Sequence, residues 1–70
     1  MTLREYRLRL GWSRSRLARE ANVTTQTISR MEDGESAYDY TAAQVAAALS
    51  KAYGTNITMY DLGIKIVGEN

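Results

Sequence analysis

Thr25, Gln26, Ser29 and Arg30 are the side chains of this 70-residue chain best equipped for directional recognition. On a helix that turns Ile28 and Met31 inward, these four project outward on consecutive turns. Their donors and acceptors suit edge-on hydrogen bonding to a flat ligand rather than the making and breaking of bonds. A Gln carboxamide can engage adenine N6 and N7 together, an Arg guanidinium can engage guanine O6 and N7, and a Thr methyl suits a thymine methyl. An ordinary polar helix surface carries the same residue types, so the elements around them must decide. Enzymatic chemistry has little to work with. The chain has no His and no Cys, which removes the usual acid–base group and the usual soft metal ligand. No nucleophile–base pair, metal-ligand cluster or glycine-rich phosphate loop is legible. The reading is no enzyme, no cofactor and no small-molecule ligand.

The elements that must position the four residues lie in the stretch from Ser13 to Gly34. Ser13 can cap a helix with Leu17, Ala18 and Ala21 at helical spacing. Asn22 accepts the left-handed conformation that ends it. Thr24 can cap a second helix carrying Ile28 and Met31 on one face, and Gly34 supplies its stop. Two short helices joined by three or four residues make a helix-turn-helix, whose second helix can lie in a DNA major groove.

On these residues the segment resembles the helix-turn-helix of the phage repressor/Cro class, the XRE-type regulators. The matching features are Leu17-Ala18, Val23-Thr24, Thr27-Ile28-Ser29-Arg30 and the closing Glu32-Asp33-Gly34. The resemblance extends over roughly residues 3 to 62. It implies an all-α, compact, five-helix lambda-repressor-like DNA-binding domain with a short extended C-terminal tail. It also implies a sequence-specific, double-stranded-DNA-binding transcriptional regulator, foremost a repressor. Arg7 and Glu32 match two positions that pair in the family and tie the first helix to the recognition helix. Arg14 stands where the family most often has a glutamine that contacts phosphate and braces the recognition helix; arginine keeps the phosphate role. Thr24, Arg16 and Arg19 complete the expected phosphate set, with Thr25, Gln26, Ser29 and Arg30 reading bases. Asn22 replaces a common glycine. The loop Glu35 to Tyr40 departs from the family, being acidic where basic residues are usual. Tyr38 and Tyr40 could each donate a hydroxyl to phosphate, with at least one of them expected to pack under the loop.

The flanks agree with one small domain spanning 1–70. Thr2 and Glu5 form a capping box, Leu3, Tyr6 and Leu10 an inward stripe, and Gly11 a stop. Trp12 belongs to the core, and Leu8 lies off the stripe. Thr41 and Gln44 read as a second capping box opening a helix to Tyr53, with Val45, Leu49 and Tyr53 inward, flanked by Ala42, Ala46 and Ala52. Thr58 and Asp61 outline a short fifth helix through Leu62, and Ile64-Lys65-Ile66 reads as an extended tail over 63–70.

Charge is divided along the chain. Residues 1–30 carry seven arginines against Glu5 and Glu20, whereas residues 31–70 carry two lysines against six carboxylates, within a net charge of +1. An arginine-rich half suits phosphate and guanine. No apolar run is long enough to span a bilayer and no signal-peptide pattern opens the chain, so the expected site of action is the cytoplasm, on the nucleoid. One recognition helix reads too few base pairs to define a genomic site, so a homodimer is expected, joined through Tyr60, Ile64, Ile66 and Val67. The rival arrangement folds the tail onto the first helix over Leu3 and Leu10. Two other functions remain open: the antitoxin of a toxin–antitoxin pair, and a protein-interaction module that has lost DNA binding.

Overall fold

Thr2 and Glu5 close a reciprocal cap, with the Thr2 N–H donating to Glu5 Oε1 at 2.9 Å and the Glu5 N–H to Thr2 Oγ1 at 3.3 Å. This starts α1 (Leu3–Arg9) in a computed structural model that describes residues 1–67. There follow α2 (Arg14–Ala21), α3 (Thr25–Glu32), β1 (Ala37–Tyr38), α4 (Asp39–Tyr53), a 3-10 turn (Met59–Leu62) and β2 (Ile66–Val67). Residues 68–70 of the expected tail lie outside the described residues.

Leu3, Leu17, Ile28, Val45, Leu49 and Leu62 are the fully buried large side chains, one or two from each helical element. Ala18 is buried too, and its small side chain lets α3 cross close to α2. Two polar ties hold the periphery. The Tyr53 hydroxyl donates to the Tyr6 carbonyl at 2.7 Å, and the two rings meet edge to face at 5.5 Å. Ser50 Oγ accepts from the Ile57 N–H at 2.8 Å and lies 2.8 and 2.9 Å from the carbonyls of Ala46 and Ile57. The chain after α4 is thereby strapped back onto it, which brings Leu62 under the core.

Four expectations need correction. The described residues form four α-helices, and the expected fifth is a single 3-10 turn: Thr58 and Asp61 cap it, but Gly63 takes φ +65° and stops it after four residues. Helix α4 begins at Asp39, so Thr41 lies inside it and is not a cap. The Asp39 carboxylate accepts the Tyr40 N–H at 2.7 Å, and a negative charge in the first turn favours the earlier start. Ala52, expected to flank the buried face, is exposed. Finally, the fold is not wholly α. The tail is extended, but β2 pairs in parallel with β1 in the register Ala37↔Ile66 and Tyr38↔Val67, and the Ala37 N–H donates to the Lys65 carbonyl at 2.9 Å. The strand of the tail therefore lies along the connection before α4, because that connection offers unpaired backbone groups and a helix does not, while Gly63 and Ile64 at the start of the tail border the first turn of α1 beside Leu3.

The turn between α2 and α3 rests on Asn22, at φ 58° and ψ 43°. Because Asn22 is exposed, backbone conformation rather than lost packing should dominate its substitutions. Asn22→Ala is expected to lower stability by about 1–2 kcal/mol, and Asn22→Gly to leave it nearly unchanged. Thermal melts of both variants check this.

Candidate nucleic-acid interface

Helix α2 is started by Ser13, whose Oγ accepts the Arg16 N–H at 3.0 Å. After Asn22 turns the chain, the Val23 N–H returns to the Ala18 carbonyl at 2.9 Å. Thr24 then caps α3 by accepting the Thr27 N–H at 3.1 Å. With Ile28 and Met31 buried on the inner side, Thr25, Gln26 and Arg30 stand exposed on the outer side and Ser29 is half-buried at its edge.

What fixes the pose of α3 is a charged hub at its C-terminal end. The Arg7 guanidinium donates through Nε to Glu32 Oε2 at 2.6 Å and through Nη2 to Oε1 at 3.0 Å, a two-pronged pairing across 25 residues of chain. Its remaining arm donates to the Trp12 carbonyl at 2.9 Å. The Glu32 side chain is 1% exposed and that of Arg7 8%. Arg14 joins from the start of α2, with Nε 3.2 Å from Glu32 Oε1 and Nη1 3.5 Å from Ser29 Oγ. Burial by itself pushes the Glu32 carboxyl up. The hydrogen bond and charge of Arg7, then those of Arg14, outweigh it and hold the group below the usual carboxylate range. Arg7 is raised further above the ordinary arginine range by its hydrogen bond to Glu32.

The Arg14 brace on Glu32 was not read from the sequence. A signal existed: Arg14 opens α2, where the positive end of the helix disfavours a cation, so an anion from another element is called for. The Arg14 side chain keeps 38% exposure, enough for an outward ligand. Arg16 pairs with Glu20 at 3.5 Å one turn on and lies 4.9 Å over the half-buried Trp12 ring, while Arg19 is exposed. The four arginines thus differ in freedom: Arg7 is locked, Arg14 shared, Arg16 loosely held and Arg19 open to solvent.

The other flank of α3 borders a notch of about 190 Å³ between the helix and the connection to α4, lined by Thr27, Arg30, Ser36, Tyr38 and Thr41. Tyr38 and Tyr40 stand beside it with rings stacked 5.5 Å apart and 6° from parallel. They are 58% and 64% exposed, so neither packs under the loop. Extended backbone at β1 turns the Tyr38 ring outward, and Tyr40, in the first turn of α4, stacks on it; a loop free to collapse would have buried one of them. Of the residues expected at a dimer interface, Ile64 and Ile66 are half-buried against the chain's own core, and Tyr60 and Val67 are exposed.

Among the described residues there is no cluster of His, Cys, Asp or Glu able to hold a metal ion. No described helix is long and apolar enough to cross a membrane. No curated protein and no solved structure matches the chain. A helix-turn-helix domain family matches it over residues 1–61, which include α1, α2, α3, the hub and α4. By that match the chain belongs to the helix-turn-helix domain family, a class that points to DNA binding.

Proposed function

We propose that the protein is an XRE-type transcriptional regulator that binds double-stranded DNA sequence-specifically and represses by occupying an operator, without catalysis of its own. The observation that carries this reading is an exposed Thr25, Gln26 and Arg30 face on a helix whose other end is clamped by Arg7, Arg14 and Glu32. A reading helix needs outward donors and acceptors and a pose that does not yield when they bind; both features are present. Thr25, Gln26, Ser29 and Arg30 contact base edges in the major groove. Thr24, Arg14, Arg16 and Arg19 contact phosphates along the near wall, which sets register without reading sequence. Blocking polymerase by occupancy needs no further domain, and the cytoplasm, on the nucleoid, is where such a regulator works.

The operator is read by a symmetric homodimer joined near the C-terminus, with recognition helices about 34–36 Å apart. Tyr60 and Val67 supply the outward side chains of that contact; Ile64 and Ile66, half-buried against the core, contribute less.

Selection of bound sequences from a random duplex pool tests the reading. The expected product is a palindrome with half-sites one helical turn apart, and affinity that falls steeply with salt. Arg19→Ala should weaken all sequences alike and reduce the salt slope by about one. No enrichment together with salt-independent behaviour would favour a protein-interaction module instead. A single non-repeated half-site, with a monomer by light scattering on DNA, would remove the dimer.

A further inference from the structure

The C-terminal strand has so far served only the proposed dimer contact, yet it pairs with the connection that flanks the reading helix. Helix α3 has two sides. The Ser29 side is braced from α2 by Arg14, at 3.5 Å from Arg14 Nη1 to Ser29 Oγ. The Thr27 and Arg30 side borders the notch whose far wall is Ser36, Tyr38 and Thr41. That far wall is held by the tail: the Ala37 N–H donates to the Lys65 carbonyl at 2.9 Å, Tyr38 stands opposite Val67, and Ile66 packs half-buried against the core beneath.

We propose that β2 is a positioning element for DNA binding: by pairing with β1 it holds Tyr38 at the rim of the notch, stacked on Tyr40 of α4, where the two hydroxyls meet the phosphate backbone opposite the α2 side. This deepens the DNA-binding reading and rests on it. A helix lying in a major groove has a sugar–phosphate wall on each side. The arginines of α2 serve one wall. The connection after α3 carries Glu35 and α4 opens on Asp39, both of which repel phosphate, so hydroxyl donors are the groups this flank can present to it. A two-residue strand has little stability alone, and loop closure has an entropic cost that a second strand offsets in advance. With β2 in place, the rings are already stacked and outward before DNA arrives. Without it, segment 35–38 must order on binding, and affinity falls by that ordering cost. Base preference stays as it was, because the pose of α3, which carries Gln26 and Arg30, is fixed by the Arg7, Arg14 and Glu32 hub and by the Arg14 brace on Ser29.

The test uses the full chain and a duplex selected by the wild-type protein, with affinity measured by fluorescence anisotropy. Ile66→Ser removes the apolar anchor of β2, Ile66→Val keeps it, and Tyr38→Ala removes the side chain being positioned. Ile66→Ser is expected to speed exchange of the Ala37 amide proton, to leave exchange at Leu17, Ile28 and Leu49 slow, and to weaken binding about tenfold with unchanged sequence preference. Ile66→Val should restore both exchange and affinity. Tyr38→Ala should weaken binding by a similar factor, and the double variant Tyr38→Ala/Ile66→Ser by no more than either alone, since both remove one contact. Ile66→Ser with fast Ala37 exchange but full affinity would overturn the proposal. So would unchanged Ala37 exchange, or a double variant whose losses multiply. A wild-type chain that enriches no duplex would overturn the DNA reading and this inference with it, which separates that failure from a failure of the strand alone.

Discussion

Replacing Glu32 with alanine is expected to cost about 3–5 kcal/mol, the range for removing one partner of a buried, hydrogen-bonded ion pair. The core of so small a domain usually supplies only about that much. Glu32→Ala should therefore leave the chain largely unfolded near room temperature. The reason is specific. Glu32 accepts from Arg7 at 2.6 and 3.0 Å and from Arg14 at 3.2 Å, so its loss strands a buried Arg7 and releases Arg14 together. Arg14→Ala leaves the Arg7 pair intact and should cost much less. Glu35→Ala, at an exposed position, should fall within about 0.5 kcal/mol of wild type. Chemical denaturation of the three variants checks the order, and equal losses at Glu32 and Glu35 would contradict it. The hub also predicts a pH dependence. The Glu32 carboxyl is held below its unfolded value, which is about 4.3. Its contribution is therefore complete above that value and is lost as pH falls through the lower, folded one. The capping carboxylates Glu5 and Asp61 are shifted down as well, chiefly by backbone N–H bonds at Thr2 and Thr58, and act in the same direction. Glu32→Gln should flatten the acid limb of the stability curve.

The largest functional effect is expected from Gln26 and Arg30 together. Each bidentate contact to the correct base discriminates by about 1–3 kcal/mol, and separate positions add roughly. The double variant Gln26→Ala/Arg30→Ala should therefore remove about 2–6 kcal/mol, a large share of the roughly 4–10 kcal/mol that separates specific from non-specific binding. Salt-dependent non-specific binding should survive. So should the melting temperature, because both side chains are exposed. Each single variant should relax preference at one base pair in a selection experiment, adenine for Gln26 and guanine for Arg30. Variants that bind more weakly but keep every base preference would make these residues phosphate contacts rather than readers.

The helix-turn-helix itself was legible in the sequence because its signals are local. Ser13, Thr24 and Thr2 cap through side chains that reach three residues ahead, and Asn22 turns through its own backbone. Such features need no knowledge of the rest of the chain. Inward and outward faces of α2 and α3 followed from spacing alone for the same reason. Thr41 shows the limit of that logic. Its capping-box spacing was sound, but Asp39 offered an earlier start that the preceding strand made available, and tertiary pairing chose between them.

Three features were decided by the fold. The pairing of Arg7 with Glu32 spans 25 residues; it followed from family resemblance, and no spacing in this chain implied it. The bridge from Arg14 to Glu32 and Ser29 exists because α2 and α3 cross at close range, which places the start of one beside the end of the other. The destination of the tail depended on which backbone groups remained unpaired once the helices had packed, and those were at Ala37 and Tyr38. Local hydrogen-bond and dihedral preferences act over three or four residues and can be read in order along a sequence. Burial of a charge and pairing of a strand are settled by which distant segment arrives with a complementary group, and only the packed chain determines that.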